Sequence, residues 1–277
     1  MHWLVKIVAR EYTCRGSKVH CCLIDSSKAF DTVDHTLLFE KLMKKNTSAS
    51  IIRFLINWYS TQQLTVRWNG AVSRPFGTLN GVRQGGVLSP LLFSLYLDDL
   101  LADLSSAGIG CHYMGIFVGS LAYADNLTLL AASPSALCLM LLQCEKFGKD
   151  HGIRFNPNKT QLICFRKWGL PSSTSVKITF ASKQLTSLQS VKRLGQLLTD
   201  DLRENAGIQA KSTDFIRRAN SILVRFSTCT PYILCYLIRS YCTSFYGCST
   251  WSLVSQSSLY QLQVHMNKIC RRIWHLV

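Results

Sequence analysis

A short apolar run that ends on an acidic residue is the feature that most constrains the fold of this chain. Residues Val19 to Ile24 are mostly apolar and partly β-branched, and Asp25 follows them directly. A short run of this kind without a helical period is typical of a strand buried inside a sheet. The sequence therefore predicts a buried strand whose end carries the carboxylate of Asp25.

Periodicity and turn residues divide the rest of the chain into helices and strands. Asp34 is placed to cap a helix that carries Leu37, Leu38 and Leu42 on one face. Further helices are predicted at residues 49–59, 90–105 and 135–151, and from about residue 202 onward in a region rich in Arg, Lys, Tyr and Cys. This region is expected to form a second, basic unit. Proline at position 90 suits the first turn of its helix.

Turn residues also separate the predicted strands. Strands are expected at residues 64–68, 121–124, 127–131 and 161–165, with a loop at 171–174. Asn69-Gly70 is a strong signal for a two-residue hairpin turn, and Asp125-Asn126 is expected to join the second and third of these strands as another hairpin. The order of elements predicts an α+β fold with a helical region at its C-terminal end.

The net charge of the chain indicates which class of molecule it binds. The 277 residues include 31 Lys and Arg against 15 Asp and Glu, for a formal net charge of +16. A surplus of this size predicts a polyanionic partner. Hydrophobic residues make up 48% of the chain, which excludes wholesale disorder.

The cysteines and the uncharged stretches indicate an intracellular chain, cytoplasmic or nuclear, that is neither secreted nor inserted in a membrane. Twelve cysteines are spread along the sequence without a CxxC pair, and Lys6 interrupts the apolar run at the N-terminus where a secretory leader would lie. Free thiols are therefore favoured over zinc ligands or disulfides. The uncharged stretches at 126–144 and 240–267 contain a proline turn and many polar residues, so neither is expected to span a bilayer.

Two acidic residues suggest a metal site. Asp25 ends one predicted strand and Asp125 lies at a predicted hairpin tip, and neighbouring strands of one sheet would bring them together. Mg²⁺ is commonly bound by one or two carboxylates plus substrate phosphates, and two such ions about 4 Å apart catalyse in-line phosphoryl transfer. Taken alone the pattern is weak, because aspartates at strand ends usually serve as turn or capping residues.

Four ordered blocks of sequence give that pattern its context. The blocks are Leu23-Ile-Asp-Ser-Ser-Lys-Ala-Phe-Asp-Thr-Val33, Gly81-Val-Arg-Gln-Gly-Gly-Val-Leu-Ser-Pro-Leu-Leu-Phe93, Tyr123-Ala-Asp-Asn126 and Asn156-Pro-Asn-Lys-Thr160. In this order they resemble the successive palm motifs of reverse transcriptases of non-LTR (LINE-type) retrotransposons. Residues 191–195 and 246–251 resemble the end of the palm and the thumb region of the same elements. The resemblance covers roughly residues 19–199.

The resemblance implies a fold, a reaction and a set of partners. The fold is a polymerase palm, an antiparallel sheet with packed helices, in residues 1–199, followed by a basic, helical, thumb-like region in residues 200–277. The reaction is RNA-directed DNA synthesis, in which a DNA 3′ end is extended by two-metal phosphoryl transfer. The partners are an RNA template, a DNA primer and deoxynucleoside triphosphates, and the cofactor is Mg²⁺, two ions in a competent complex.

The same resemblance assigns roles to single residues. Asp25 and Asp125 fall where the family binds its metal ions, and Phe30 falls where an aromatic ring excludes the 2′-hydroxyl of the sugar. An ordinary buried phenylalanine is the other interpretation of Phe30. Gln84 and Gly85, with the glycine that follows them, fall where the family contacts the incoming nucleotide and the template; without the neighbouring blocks they would indicate only a turn.

Two further positions complete the implied site. Lys159 falls where the family places a basic residue near the leaving pyrophosphate, although a lysine after a turn is usually only solvated. Asn126 stands where the family has a second hairpin aspartate, which removes one negative charge from the site and predicts impaired catalysis.

A second stretch, Tyr96-Leu-Asp-Asp99, spells the Tyr-x-Asp-Asp signature of polymerases. It lies inside the continuous helical pattern that begins at Ser89-Pro90, where its aspartates belong to the polar face. We therefore assign the hairpin at Tyr123 to Asn126, and not this helix, to the polymerase site.

Three functions remain open on the sequence. The first is a reverse transcriptase domain whose fingers strands are expected to be largely missing, because only 24 residues precede Asp25. The second is a catalytically inactive remnant that binds nucleic acid through its basic surface. The third is an RNA-templated RNA polymerase or intron maturase, and the form of the first block favours the retrotransposon enzyme over it.

Overall fold

The computed structural model describes residues 1–170, 176–245, 247–248, 251 and 254–276. Its helices are α1 (His2–Cys14), α2 (His35–Lys44), α3 (Ala49–Ser60), α4 (Ser89–Ala107), α5 (Pro134–Asp150), α6 (Asn205–Arg225), α7 (Pro231–Tyr241) and α8 (Gln256–Ile273). A short 3₁₀ helix at Ala29–Thr32 precedes α2. The combination of helices with a sheet whose described strand pairs are antiparallel, except for one parallel pair, confirms the predicted α+β class.

The strands fall into one large sheet and four small hairpins or pairs. The strands are β1 (Val19–Ile24), β2 (Gln63–Leu64), β3 (Arg67–Trp68), β4 (Ala71–Val72), β5 (Phe76–Gly77), β6 (His112–Tyr113), β7 (Ile116–Phe117), β8 (Ser120–Tyr123), β9 (Asn126–Ala131), β10 (Gln161–Phe165), β11 (Lys177–Phe180), β12 (Lys183–Leu188), β13 (Ser190–Arg193) and β14 (Gln196–Thr199). In the described part of the chain the large sheet has the order β11-β12-β10-β1-β9-β8.

Strand β1 lies at the centre of this sheet and is buried along its whole length. It pairs antiparallel with β10 on one side and with β9 on the other. Cys22 and Ile24 pack in a core with α2, α4 and α5, whereas Cys21 and Leu23 pack in a second core with α1 and the β13-β14 hairpin. Each face of the strand packs against a different core, so no side chain of β1 faces solvent. This burial explains why the run is mostly apolar.

The predicted helices of this region are confirmed. Asp34 caps α2 by accepting a hydrogen bond from the backbone N–H of Leu37 at 3.1 Å. The apolar face of α4 is buried, and the fully buried Tyr96 donates its hydroxyl to the carbonyl of His151 at 2.7 Å. These contacts hold α4 and α5 against the face of the sheet that contains Ile24.

The predicted strand at 64–68 is wrong in its extent. It is divided into β2 and β3, which pair with β5 and β4 respectively, and the Asn69-Gly70 turn joins only β3 to β4. Asn69 and Gly70 both have positive φ, as that turn type requires. The strands on this segment are two residues long and mostly exposed, so no core extends them. The predicted loop at 171–174 lies outside the described residues.

The C-terminal helices form a core of their own. Phe215, Ala219, Leu234, Ile238 and Ile269 are buried between α6, α7 and α8. Near the start of α6, Glu204 accepts a hydrogen bond from Lys6 of α1 at 2.8 Å, and both side chains are buried. This ion pair fixes α6 against the sheet-containing part. The division of the chain into two domains at residue 200 stays a prediction.

In the residues described, no helix combines the length and the apolar character that crossing a bilayer requires.

A glycine turn brings the segment before α4 against the 3₁₀ helix. Gly81 has φ +96°, and its N–H donates to the carbonyl of Val33 at 2.8 Å. A Cβ on Gly81 would lie 3.0 Å from the carbonyl oxygen of Asp31 and 3.1 Å from its Cα. Backbone atoms cannot move away as a flexible side chain can, so this position requires glycine.

We expect Gly81→Ala to destabilise the protein more than Gly85→Ala. Both positions have positive φ, which costs a residue with a Cβ about 1–2 kcal/mol, but Gly85 has open space around it whereas Gly81 meets the backbone of Asp31. Urea unfolding of the two variants measures the difference. Equal losses of stability would show that the close approach at Gly81 is unimportant.

We also expect stability to fall in mild acid because of His2. Burial, and next the nearby charge of Lys6, lower the pKa of His2 from 6.5 to about 4. The unfolded chain therefore takes up this proton near pH 6.5, whereas the folded chain does so only near pH 4. The contribution of neutral His2 to the free energy of unfolding is therefore fully present above pH 6.5, and it is lost as the pH falls toward 4.

Thermal unfolding followed across this range tests the effect. His2→Gln should make the unfolding temperature less dependent on pH between 6.5 and 4, while His275→Gln, at an exposed position, should leave that dependence unchanged. An unaltered dependence in His2→Gln would assign the acid sensitivity to other groups.

Candidate polymerase site

The register of β1 against β9 determines which side chains meet at the end of the large sheet. Ile24 lies opposite Leu127 in the antiparallel ladder. Asp25 is one residue beyond Ile24, and Asn126 is one residue before Leu127. These two residues therefore lie next to each other at the same edge of the sheet. Opposed residues in such a ladder have Cα atoms about 4.5–5.5 Å apart. Asp125 precedes Asn126 at the tip of the hairpin and lies at this edge as well.

The hairpin turn differs from the prediction by one residue. Tyr123 pairs with Asn126, so the two turn residues are Ala124 and Asp125 and not Asp125-Asn126. Ala124 takes φ +50°, a conformation that alanine rarely adopts. Asn126 is the first residue of β9. Its side-chain N–H donates to Oδ1 of Asp125 at 3.0 Å, so the asparagine that replaces the family's aspartate contacts the remaining carboxylate.

Backbone and side-chain contacts from the start of β10 hold Asp25 in place. Its carbonyl accepts a hydrogen bond from the N–H of Asn156 at 2.8 Å, and its N–H donates to Oγ1 of Thr160 at 3.4 Å. Nζ of Lys159 lies 3.8 Å from Oδ2 of Asp25. The Lys159 side chain is 71% exposed and that of Asp25 is 24% exposed, so the lysine covers the carboxylate loosely from the solvent side.

Arg193 lies on the inner side of the same edge and was not predicted as a site residue. It is buried, and its Nη2 donates to the carbonyl of Ile24 at 2.5 Å. Both Asp25 and Asp125 act on its charge. The sequence carried a usable signal: Arg193 stands two residues after Val191 in a strand, hence on the same face, and Val191 is buried.

Phe30 and the loop at 81–86 form a single unit beside this edge. The Phe30 ring stacks on Phe93 with centroids 5.0 Å apart, and its carbonyl accepts a hydrogen bond from the N–H of Val82 at 2.7 Å. Gln84 is exposed and donates its side-chain amide to Asp31 at 2.9 Å. Gly85 has no heavy atom within 4 Å of the position of a Cβ, so the backbone there is open to a ligand.

The Tyr-x-Asp-Asp sequence on α4 is structural. Asp99 forms an ion pair with the buried Lys41, and Asp98 forms one with Lys45, both on α2. These pairs fasten α4 to α2, and Tyr96 is part of the core. The helical assignment of this stretch is confirmed.

A basic cavity lies between the β13-β14 hairpin and α6. Its volume is about 440 Å³. Cationic side chains in its lining come from both elements and from α1: Lys6, Lys192, Lys211, Arg217 and Arg218. Lys6 pairs with Glu204, and Asp214 pairs with both arginines, so the cavity is basic but partly neutralised.

The region of α6 to α8 carries a surplus of basic residues. Residues 205–277 contain eight Lys and Arg, and Asp214 is the one acidic residue among them. The residues 246–251 that resemble a thumb motif are only partly described, since 246, 249 and 250 lie outside the described residues.

Comparisons with known proteins agree with the motifs. The family described as reverse transcriptase (RNA-dependent DNA polymerase) matches residues 4–199. The chain is 29% identical over 156 residues to the Retrovirus-related Pol polyprotein from type-2 retrotransposable element R2DM of Drosophila melanogaster, covering 56% of this chain and 15% of that protein. It is 27% identical over 296 residues to the probable RNA-directed DNA polymerase from transposon BS of the same organism, covering 99% and 31%. The chain thus spans less than a third of the length of these relatives.

The fold has a counterpart among solved structures. The telomerase of Candida albicans, in complex with a fragment of telomeric RNA, superposes with a TM-score of 0.51 and 13% identity, covering 97% of this chain and 48% of that one. At this identity the likeness concerns the fold alone. The family match over residues 4–199 and the retrotransposon relatives lead to one conclusion: the chain belongs to the reverse transcriptase (RNA-dependent DNA polymerase) family, on the branch of the non-LTR retrotransposons.

Proposed function

We propose that the edge formed by Asp25, Asp125 and Asn126 is the site at which this chain extends a DNA 3′ end on an RNA template. The observation that supports it most directly is the β1-β9 register, which brings a strand-end aspartate and a hairpin aspartate, 100 positions apart in sequence, to one edge. Phosphoryl transfer by polymerases needs such carboxylates together, because they hold the metal ions that bind the triphosphate.

The donor set at this edge fits Mg²⁺. The two carboxylates belong to Asp25 and Asp125, and both side chains are partly exposed. Among the described residues no group of three or more His, Cys, Asp and Glu forms a closed metal cage. Mg²⁺ is usually held by one or two carboxylates with water and phosphate oxygens, so an open pair suits it. Bound there, Mg²⁺ would supply charge stabilisation for the transferred phosphoryl group.

The residues around the carboxylates are proposed to position the nucleotide and the template. Phe30 is held rigidly by its stacking on Phe93, as a ring that excludes a 2′-hydroxyl by contact must be. Gln84 and Gly85 lie on an open loop that is hydrogen bonded to the Phe30 backbone. Lys159 is exposed beside Asp25 and is proposed to contact the leaving pyrophosphate. Deoxynucleoside triphosphates and a DNA primer are therefore the proposed ligands, with an RNA template.

Asn126 favours a second candidate, an inactive protein that binds nucleic acid and does not copy it. An amide carries no negative charge, and here its N–H occupies one oxygen of Asp125. Both effects weaken the attraction of this edge for dications. The basic surface of α6 to α8 does not depend on these residues, so binding of nucleic acid survives a loss of catalysis. For either function the chain would bind nucleic acid, and the proposed location is the cytoplasm or the nucleus.

Substitutions at the hairpin discriminate the two functions. We expect Asn126→Asp to raise Mg²⁺-dependent primer extension by up to about 100-fold, because a restored carboxylate strengthens stabilisation of the developing charge. Asp125→Asn should abolish extension, since it removes the last carboxylate of the hairpin. Asp98→Asn is the matched control: it removes the same charge on α4 and should leave extension unchanged. The measurement is elongation of a DNA primer annealed to RNA.

The outcomes have distinct meanings. Equal extension by the unsubstituted chain and by Asn126→Asp would show that residue 126 is not a ligand. If neither extends although both bind template and primer, the inactive nucleic-acid-binding protein is the better description.

Binding itself should depend steeply on salt. Each phosphate that a Lys or Arg neutralises on a duplex contributes about 0.9 to the slope of log K against log salt concentration. We expect the double variant Lys268→Gln and Arg271→Gln on α8 to reduce this slope by up to about 2 for an RNA–DNA hybrid. Lys146→Gln, an exposed position on α5, is the control and should change it less. Fluorescence anisotropy at several salt concentrations gives the slope, and a flat dependence would contradict nucleic-acid binding.

A further inference from the structure

Arg193 is a buried charge in strand β13, next to the end of β1. Arg193 is only 8% exposed, whereas the neighbouring Lys192 in β13 lies at the surface. The side chain of Arg193 therefore faces the interior, and that of Lys192 faces solvent. A buried charge is costly unless other charges or hydrogen bonds compensate it. The groups around Arg193 therefore decide what it does.

The hydrogen bonds of Arg193 are incomplete. Its Nη2 donates to the carbonyl of Ile24 at 2.5 Å, which ties it to the last residue of β1. Its Nε is buried without a hydrogen-bond partner. One neutral carbonyl does not balance a full positive charge. Compensation has to come from charged groups within Coulombic reach.

Two carboxylates provide that compensation. Burial lowers the pKa of Arg193 from its ordinary value, and Asp25 and then Asp125 oppose this change, ahead of the thiols of Cys21 and Cys22. His2, the other titratable group nearby, has its pKa lowered to about 4 and is neutral near pH 7. Neither aspartate forms a direct ion pair with Arg193 in the described structure, but Asp25 directly follows Ile24, whose carbonyl Arg193 contacts, and both carboxylates act on its charge at longer range.

We propose that Arg193 is a built-in counter-ion of the Asp25 and Asp125 pair, which lowers the affinity of this edge for divalent cations. The inference rests on the proposed function, since it concerns the same carboxylates. Arg193 is a positioning residue, because it acts through the aspartates from the inner side while a ligand would approach from the solvent side.

The sign of the effect follows from the arrangement. A dication bound to Asp25 and Asp125 shares these carboxylates with a guanidinium that cannot withdraw, because it is enclosed and bonded to the Ile24 carbonyl. Like charges repel strongly where solvent does not screen them. Asn126 acts in the same direction by removing an anion. Lys159 differs, because it is exposed and can move away when a cation binds.

Metal binding without catalysis tests the proposal. Mn²⁺ is the probe, and the dissociation constant of the full chain is measured by electron paramagnetic resonance of free Mn²⁺. Arg193→Gln, whose amide can still donate to the Ile24 carbonyl, should bind Mn²⁺ about tenfold more tightly. Arg193→Lys keeps the charge and Lys192→Gln removes an exposed charge from the same strand; both should bind like the unsubstituted chain. Unchanged or weaker binding by Arg193→Gln would overturn the proposal.

A second measurement needs no change at Arg193 and serves if Arg193→Gln does not fold. Two clustered carboxylates without a counter-ion repel each other, so Asp125→Asn would then raise the unfolding temperature in the presence of EDTA. With Arg193 as counter-ion, the same substitution leaves a buried cation less compensated and lowers the unfolding temperature. A decrease supports the proposal, and an unchanged or increased temperature contradicts it.

A third variant separates this inference from the proposed function. Asp25→Asn is introduced into Arg193→Gln. If Mn²⁺ still binds as tightly, the carboxylate pair is not the metal site and the proposed function loses its metal centre. If Asp25→Asn abolishes binding but Arg193→Gln alone had no effect, the metal site stands and the role of Arg193 is refuted.

Discussion

The pairing of β1 with β9 and β10 is the interaction on which the rest of the structure depends. Buried backbone N–H and C=O groups must be hydrogen bonded, and β1, buried along its length, meets this need through its two neighbours. A shift of one residue in either ladder would turn its side chains to the opposite core. The two cores therefore fix the register, and the register fixes where the residues that follow the strands lie.

That dependence explains how much of the site the sequence could predict. The position of Asp25 after an apolar run, and of Asp125 in a turn between two apolar runs, is a local pattern, and the ordered motifs supplied the pairing between them. The turn was placed one residue too late, because Asp and Asn are the residues that most readily take left-handed conformations, whereas here Ala124 does so. The β8-β9 ladder continues to the pair of Tyr123 and Asn126, and this pairing overrides the local preference of the turn.

Arg193 illustrates a different limit of sequence analysis. The alternation of β13 places it on the face of Val191, but a local pattern does not reveal that this face meets the end of β1. The contact joins residues 169 positions apart. The same reasoning applies to Gly81, whose need for glycine comes from the nearby backbone of Asp31 in addition to its own positive φ. Both features arise only when distant segments pack together.

Fold and catalysis are separable in this chain, because different interactions support them. The cores around β1, the capped α2 and the ion pairs of Asp98 and Asp99 contain none of the proposed ligands. The proposed site, in contrast, depends on the charge balance between its two carboxylates and the buried Arg193, which is proposed to lower their attraction for a cation. The architecture of a polymerase does not by itself imply its activity. The architecture depends on the sheet, whereas the proposed activity depends on the charge balance at one edge of it.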